Sequence, residues 1–286
     1  MRNEKVVERN FLTKPVKEKK LFSFSRSQLC VPYGIFLLLF IVLPLFLIVY
    51  YAFTSKTGSF SLQNFGDFFT NPTSLSTLFL SLIISGLTTI LCLLIGYPTA
   101  YILSRMNAKK GSVLLLLFIM PMWINFVLRA MAMKEVMTLL GIFAKTDFYN
   151  FLNTIIGMVY DYLPFMILPL YTTLIKQDKS LLEASFDLGA TKAQTFKKIT
   201  LPLSIPGILS GITMVFLPSM SAYVISDTFG NGKISIIGKL IEEQFGTGAN
   251  WNAGSAIAMI MLIVMFITML LSGSFKEEIS ARGTNL

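Results

Sequence analysis

Thr73–Ser104 reads TSLSTLFLSLIISGLTTILCLLIGYPTAYILS, 32 residues without a charged side chain. An α-helix needs about 20 apolar residues to cross the hydrocarbon core of a bilayer, so this run is long enough for a tilted span. Backbone groups in lipid must bond within their own segment, which selects helix over strand. A membrane barrel strand would alternate apolar and polar residues, and this run does not.

Working outward, the same pattern recurs. Cys30–Phe53 is a 24-residue uncharged run. It is longer than the core of a signal peptide and no small-residue cleavage site follows, so it reads as a first span. Gly111–Leu128 is uncharged and continues past Arg129; Asn153–Ile175 carries only Asp161; Ile199–Ser226 and Trp251–Ser274 are uncharged. Spans at about 30–53, 73–104, 111–131, 153–175, 199–226 and 251–274 predict an all-α integral membrane protein. Its single six-helix domain covers 30–274, between a basic segment 1–29 and a tail 275–286. The composition agrees: 54% of the 286 residues are apolar and 14% charged, where soluble domains carry about 25%. There is no histidine, which excludes His-based triads and His-ligated zinc. Cys30 and Cys92 lie in or beside apolar runs and form neither a disulfide framework nor a metal site. No catalytic residues and no metal are expected.

The net charge of +9 is unevenly placed. With the N-terminus inside, segments 1–29, 105–110, 176–198 and 275–286 hold 18 of the basic residues, against five in the outer loops. The positive-inside bias therefore puts both termini in the cytoplasm of a plasma membrane protein. The basic segment 1–29 reads as a topology anchor, with binding of anionic membrane lipid as the other reading, and the charge gives no sign of a nucleic-acid partner. Prolines interrupt several spans, and Gly207 with Gly211 makes a small-xxx-small step that admits a close neighbour.

The inner loop 176–202, KQDKSLLEASFDLGATKAQTFKKITLP, reads as two short helices. Ser180 with Glu183 and Thr191 with Gln194 have capping-box spacing, and Gly189 suits a left-handed helix end. Its exposed apolar positions fit either a helix lying on lipid or a docking element. Glu183-Ala184-Ser185, then Gly189, then Ile199-Thr200-Leu201-Pro202, resembles the EAA loop of bacterial ABC-importer permeases. The spacing matches throughout, with Ser185 where the pattern has a second alanine. Tyr160–Phe165, Asp187–Thr191 and Leu217-Pro218 through Ser226-Asp227 to Gly230 are similar to the polyamine (spermidine/putrescine) branch of that family.

The resemblance implies the bundle of a type I ABC importer permease, with no enzymatic activity of its own. It implies two copies of an ATPase subunit holding ATP and Mg, a second permease subunit in a heterodimer, and an extracellular solute-binding protein. Glu183, Ala184, Ser185, Asp187, Gly189 and Ala190 would couple to the ATPase. No cofactor is expected in this chain, which lacks GxxxxGK[ST].

A charge inside a span suggests function. Asp161 is the ninth residue of its predicted span, about 12 Å in. Trp123, at a similar depth, and Asn125 are candidate neighbours, since an acid with aromatics suits an ammonium chain. A structural pair between Asp161 and Arg129 is the other reading, and Arg129 near the outer end is expected to snorkel. Tyr160, Phe165 and Tyr223 are candidate walls, and Asp227 is either a turn residue or an acidic mouth to the pathway. An ion-coupled carrier, which needs no ATPase dock, and an intramembrane enzyme, which lacks its usual motifs, fit less well than an importer. The same importer with another cargo remains open.

Overall fold

The computed structural model describes residues 30–55, 57–143 and 146–271. The basic segment 1–29 and the tail 275–286 lie outside them. The chain divides into two units, 1–46 and 47–286. Within the first, the described residues are helical and none is buried.

Helix α1 (Cys30–Ala52) is followed by a short α2 (Gln63–Thr70) and by α3 (Pro72–Arg105). Then come α4 (Ala108–Ile119), prolonged by a 3-10 turn Met120–Trp123, and α5 (Phe126–Leu139). The remaining elements are α6 (Asp147–Ile175), α7 (Lys179–Asp187), α8 (Lys192–Ser221), α9 (Tyr223–Phe229), α10 (Ile237–Phe245) and α11 (Trp251–Leu271). Among the described residues five helices are long and apolar enough to cross a membrane, and the bent pair α4–α5 makes a sixth if it counts as one span. Among the described residues the only strand pairing is an isolated bridge, Thr54 to Phe60.

Three predicted boundaries change. The span at 111–131 is not one helix: α4 and α5 meet at 101°. Pro121 has no N–H to continue the ladder, Ile124 and Asn125 are extended, and the Asn125 carboxamide oxygen accepts from the Val127 N–H at 2.9 Å, starting a new helix. The fourth span begins six residues earlier than predicted, at Asp147, because its polar first turns hide it from hydropathy. The fifth begins at Lys192 and stops at Ser221, and Ala222 (φ −74°, ψ 55°) separates it from α9. The second predicted loop helix is therefore the first turn of α8.

Two π-helical turns, Leu38–Val42 in α1 and Phe196–Thr200 in α8, stand just before Leu43-Pro44 and Leu201-Pro202. A proline ring inside a helix clashes with the carbonyl four residues back. Widening the turn, with the Leu43 and Leu201 N–H groups bonding five residues back, accommodates each ring.

The core of the second unit is α3, α6 and α8. Cys92, Ala100, Met166, Ile167, Leu170 and Val215 are buried together there. Gly207 and Gly211 of α8 let α6 approach: a Cβ at Gly207 would sit 2.6 Å from Thr173 Oγ1, and one at Gly211 2.5 Å from Met166 Sδ. A second cluster joins Ile84, Met158, Ile225 and Phe229, and a third joins Phe68, Leu78, Ile237 and Ile257. The carbonyls at the end of α1 are satisfied by side chains: Asn64 Nδ2 donates to Ala52 O (3.2 Å) and Asn252 Nδ2 to Tyr51 O (3.1 Å).

Candidate functional site

The two helix breaks line one cavity of about 560 Å³. Trp123, Ile124, Asn125 and Phe126 come from the α4–α5 break, and Ser221, Ala222 and Tyr223 from the α8–α9 break. Asp161, Tyr162 and Phe165 of α6 complete it, with Arg129 of α5. Irregular backbone at membrane depth is tolerated where it is covered by protein or lines a cavity, which is where both breaks lie. Interrupted helices of this kind build the binding sites of many transporters.

Asp161 and Arg129 are the two charged residues of the lining, and they are paired. Arg129 Nε donates to Asp161 Oδ1 at 2.8 Å, and Nη2 donates to the same oxygen. Both residues are buried. Arg129 therefore does not snorkel: the 101° bend turns α5 so that its side chain meets α6. Its Cζ also lies 5.8 Å from the centre of the Tyr160 ring, within cation–π reach. Asp161 is the fifteenth of the 29 residues of α6, about 21 Å along it and not the expected 12 Å, because the helix starts earlier.

Of the residues expected along a pathway, the structure brings Trp123, Asn125, Asp161, Phe165 and Tyr223 to this cavity. Tyr160 and Asp227 are not among its lining. Asp227 is neither a turn residue nor an unpaired acid: it lies in α9 and its Oδ1 is 2.6 Å from Lys239 Nζ. Met122, Phe126, Pro218 and Ser221 also line the cavity. Pro121 and Pro218 were the available signals for them, since each sits beside a break.

The 176–202 loop forms a second feature. Its first helix, α7, carries Glu183, Ala184, Ser185 and Asp187. The cap is Asp178 and not Ser180, because Asp178 accepts from the Ser180 N–H at 2.9 Å and the helix starts two residues sooner. Hydrogen bonding from Ser180 holds the Asp178 carboxyl below its ordinary pKa. At the other end Gly189 has φ +79°. Its N–H donates to Phe186 O (2.8 Å) and the Ala190 N–H to Ser185 O (3.0 Å), which is a Schellman cap. The Thr191–Gln194 capping box is present in full.

Ser185 is buried, and its hydroxyl lies 2.8 Å from that of Thr195, joining α7 to the start of α8. The departure from the alanine of the EAA pattern thus has a partner. Glu183, Ala184, Asp187 and Leu188 stay exposed beside a groove of about 320 Å³ that includes Ser185, Gly189 and Ala190. Later in the same loop, Phe196 packs edge-on between Tyr97 (5.9 Å) and Tyr101 (5.6 Å) of α3.

Residues 93–280 match the family described as binding-protein-dependent transport system inner membrane component. The spermidine/putrescine transport system permease protein PotB of Haemophilus influenzae is 36% identical over 247 residues, covering 80% of this chain and 86% of that one. PotB of Escherichia coli K12 is 36% identical over 252 residues, covering 82% and 91%. Among solved structures, a chain of a bacterial ABC transporter involved in import of the acidic polysaccharide alginate superposes with a TM-score of 0.69, at 18% identity, over 88% of this chain and 95% of that one. A chain of the MetNI methionine ABC transporter gives a TM-score of 0.56 at 17% identity, over 70% and 93%. An all-helical bundle with interrupted spans, the EAA spacing carried on a capped helix, and these likenesses agree: the chain belongs to the family of binding-protein-dependent transport system inner membrane components.

Proposed function

We propose that this chain is the membrane subunit of an ATP-driven importer of polyamines, spermidine and putrescine being the expected cargo. The observation that carries the reading is the 36% identity, over about four fifths of the chain, to PotB permeases. The cavity supports it chemically, since it joins a carboxylate to the aromatic rings of Trp123, Tyr162, Phe165 and Tyr223. Energy comes from outside the chain. Two ATPase subunits hold ATP and Mg, and one of them receives the loop of this chain at Glu183, Ala184 and Gly189. A second permease chain completes the pathway, and an extracellular solute-binding protein delivers cargo. Both termini are cytoplasmic, which places the 176–202 loop on the ATPase side.

In this scheme ATP binding closes the ATPase pair and pushes α7. The Ser185–Thr195 bond passes the motion to α8, and Phe196 passes it to α3 between Tyr97 and Tyr101. The pathway opens outward to receive polyamine, and hydrolysis returns it inward. The test is ATP-dependent uptake of radiolabelled spermidine by proteoliposomes holding the whole complex. Putrescine, an anion and a sugar are added as competitors. Competition by putrescine alone is expected; competition by the sugar or the anion in its place refutes the cargo.

A further inference from the structure

The cavity holds an acid that a cation would seek, and that acid is already taken. A cationic cargo gains little from an Asp161–Arg129 pair whose charges cancel. The geometry of the pair is unusual in a useful way. An arginine fork ordinarily spreads over both oxygens of a carboxylate. Here Nε and Nη2 both fall on Oδ1, and Oδ2 accepts from no other described residue. A newcomer thus has an oxygen to approach before the arginine leaves. The arginine also keeps a partner if it leaves, because the Tyr160 ring already stands 5.8 Å from its Cζ.

We infer that Arg129 is an internal competitor for the cargo: it occupies Asp161 while the cavity is empty and yields it to an ammonium group of the polyamine, keeping its contact with Tyr160. This rests on the polyamine reading given above. The exchange keeps the carboxylate paired at every stage, so a buried anion is never left bare. It also limits how tightly cargo is held, since each ammonium must displace a tethered rival. Affinity for a site that is free only part of the time falls by that fraction. If Arg129 holds Asp161 in about nine molecules of ten, its removal tightens cargo binding about tenfold.

The experiment measures equilibrium binding of radiolabelled spermidine to the purified complex of permease and ATPase chains, with uptake by proteoliposomes in parallel. Arg129→Gln is expected to bind about tenfold more tightly and to release more slowly, with lower maximal uptake. Adding Asp161→Asn to it should carry affinity below that of the natural chain. Tyr160→Leu should leave binding by Arg129→Gln unaffected, since the ring touches the arginine and does not line the cavity. Should Arg129→Gln fail to assemble with the ATPase, Arg129→Lys takes its place: an ammonium makes a weaker hold than the guanidinium, and binding should tighten severalfold. A natural complex that transports spermidine while Arg129→Gln, or its lysine substitute, binds it unchanged overturns the competitor role and leaves the cargo standing. A natural complex that neither binds nor transports spermidine overturns both.

Discussion

Gly189 offers the sharpest test of the loop. Its φ of +79° is a left-handed conformation, and a Cβ built there meets nothing within 4 Å. The cost of Gly189→Ala is therefore backbone strain alone, about 1–2 kcal/mol for an L-residue in that region. The chain can relieve the strain only by giving up the two bonds that end α7, from Gly189 N–H to Phe186 O and from Ala190 N–H to Ser185 O. If the ATPase grips the capped helix, its affinity should fall by about 5- to 30-fold, the same energy read as a ratio. Gly189→Asn fills similar space but tolerates the left-handed region, so it should lose much less. The assay is titration of the ATPase subunit onto nanodisc-embedded permease, with ATP-dependent uptake as the second readout. Unchanged affinity in Gly189→Ala refutes the role of the cap. Equal loss in the alanine and asparagine variants shows that space at the tip matters, and not its backbone.

Other expectations follow from the same contacts. Glu183→Lys should leave the chain inserted, by protease mapping, but abolish ATPase association and uptake. Gly211→Leu places atoms where Met166 Sδ lies and should destabilise the α6–α8 contact by about 1–3 kcal/mol, read as a lower melting temperature in detergent. Ser185→Ala should weaken the joint between α7 and α8, whereas Ser185→Ala with Thr195→Val should recover most of the loss, because the second change removes the orphaned hydroxyl. The Asp178 cap has a lowered pKa, so its support is complete above the ordinary carboxylate value of 3.8 and fades as pH falls through the lowered one. Coupling measured at pH 5 and pH 7 should therefore show the cap's contribution in full at both and no change between them, and Asp178→Asn, which keeps a capping oxygen, should be equally flat.

The spans were legible because membrane helices are written in hydropathy. Thr73–Ser104 lies inside α3, which extends one residue further at each end. Gly189 and the Thr191–Gln194 box were legible because caps are local chemistry. What escaped were features that hydropathy does not encode. The 111–131 run is apolar on both sides of its break, so only Pro121 and the capping character of Asn125 marked it. The first turns of α6 carry Asp147, Asn150 and Asn153, which dilute the apolar signal although the latter two asparagines are buried. The Arg129–Asp161 pair was one of two readings of the sequence. Choosing it required the bend, because a straight helix would have carried Arg129 toward the membrane edge.

The π turn at Phe196–Thr200 acts as a phase setter. One extra residue in a turn advances everything after it by about 100° around the helix axis. Before that offset the chain turns Thr195 toward Ser185 of α7; after it the chain presents Gly207 and Gly211 to α6. Deleting a single residue from the turn would preserve nearly every side chain and still rotate the loop away from the face that α8 buries. The count of residues in that turn, more than their identity, keeps the loop and the bundle in register.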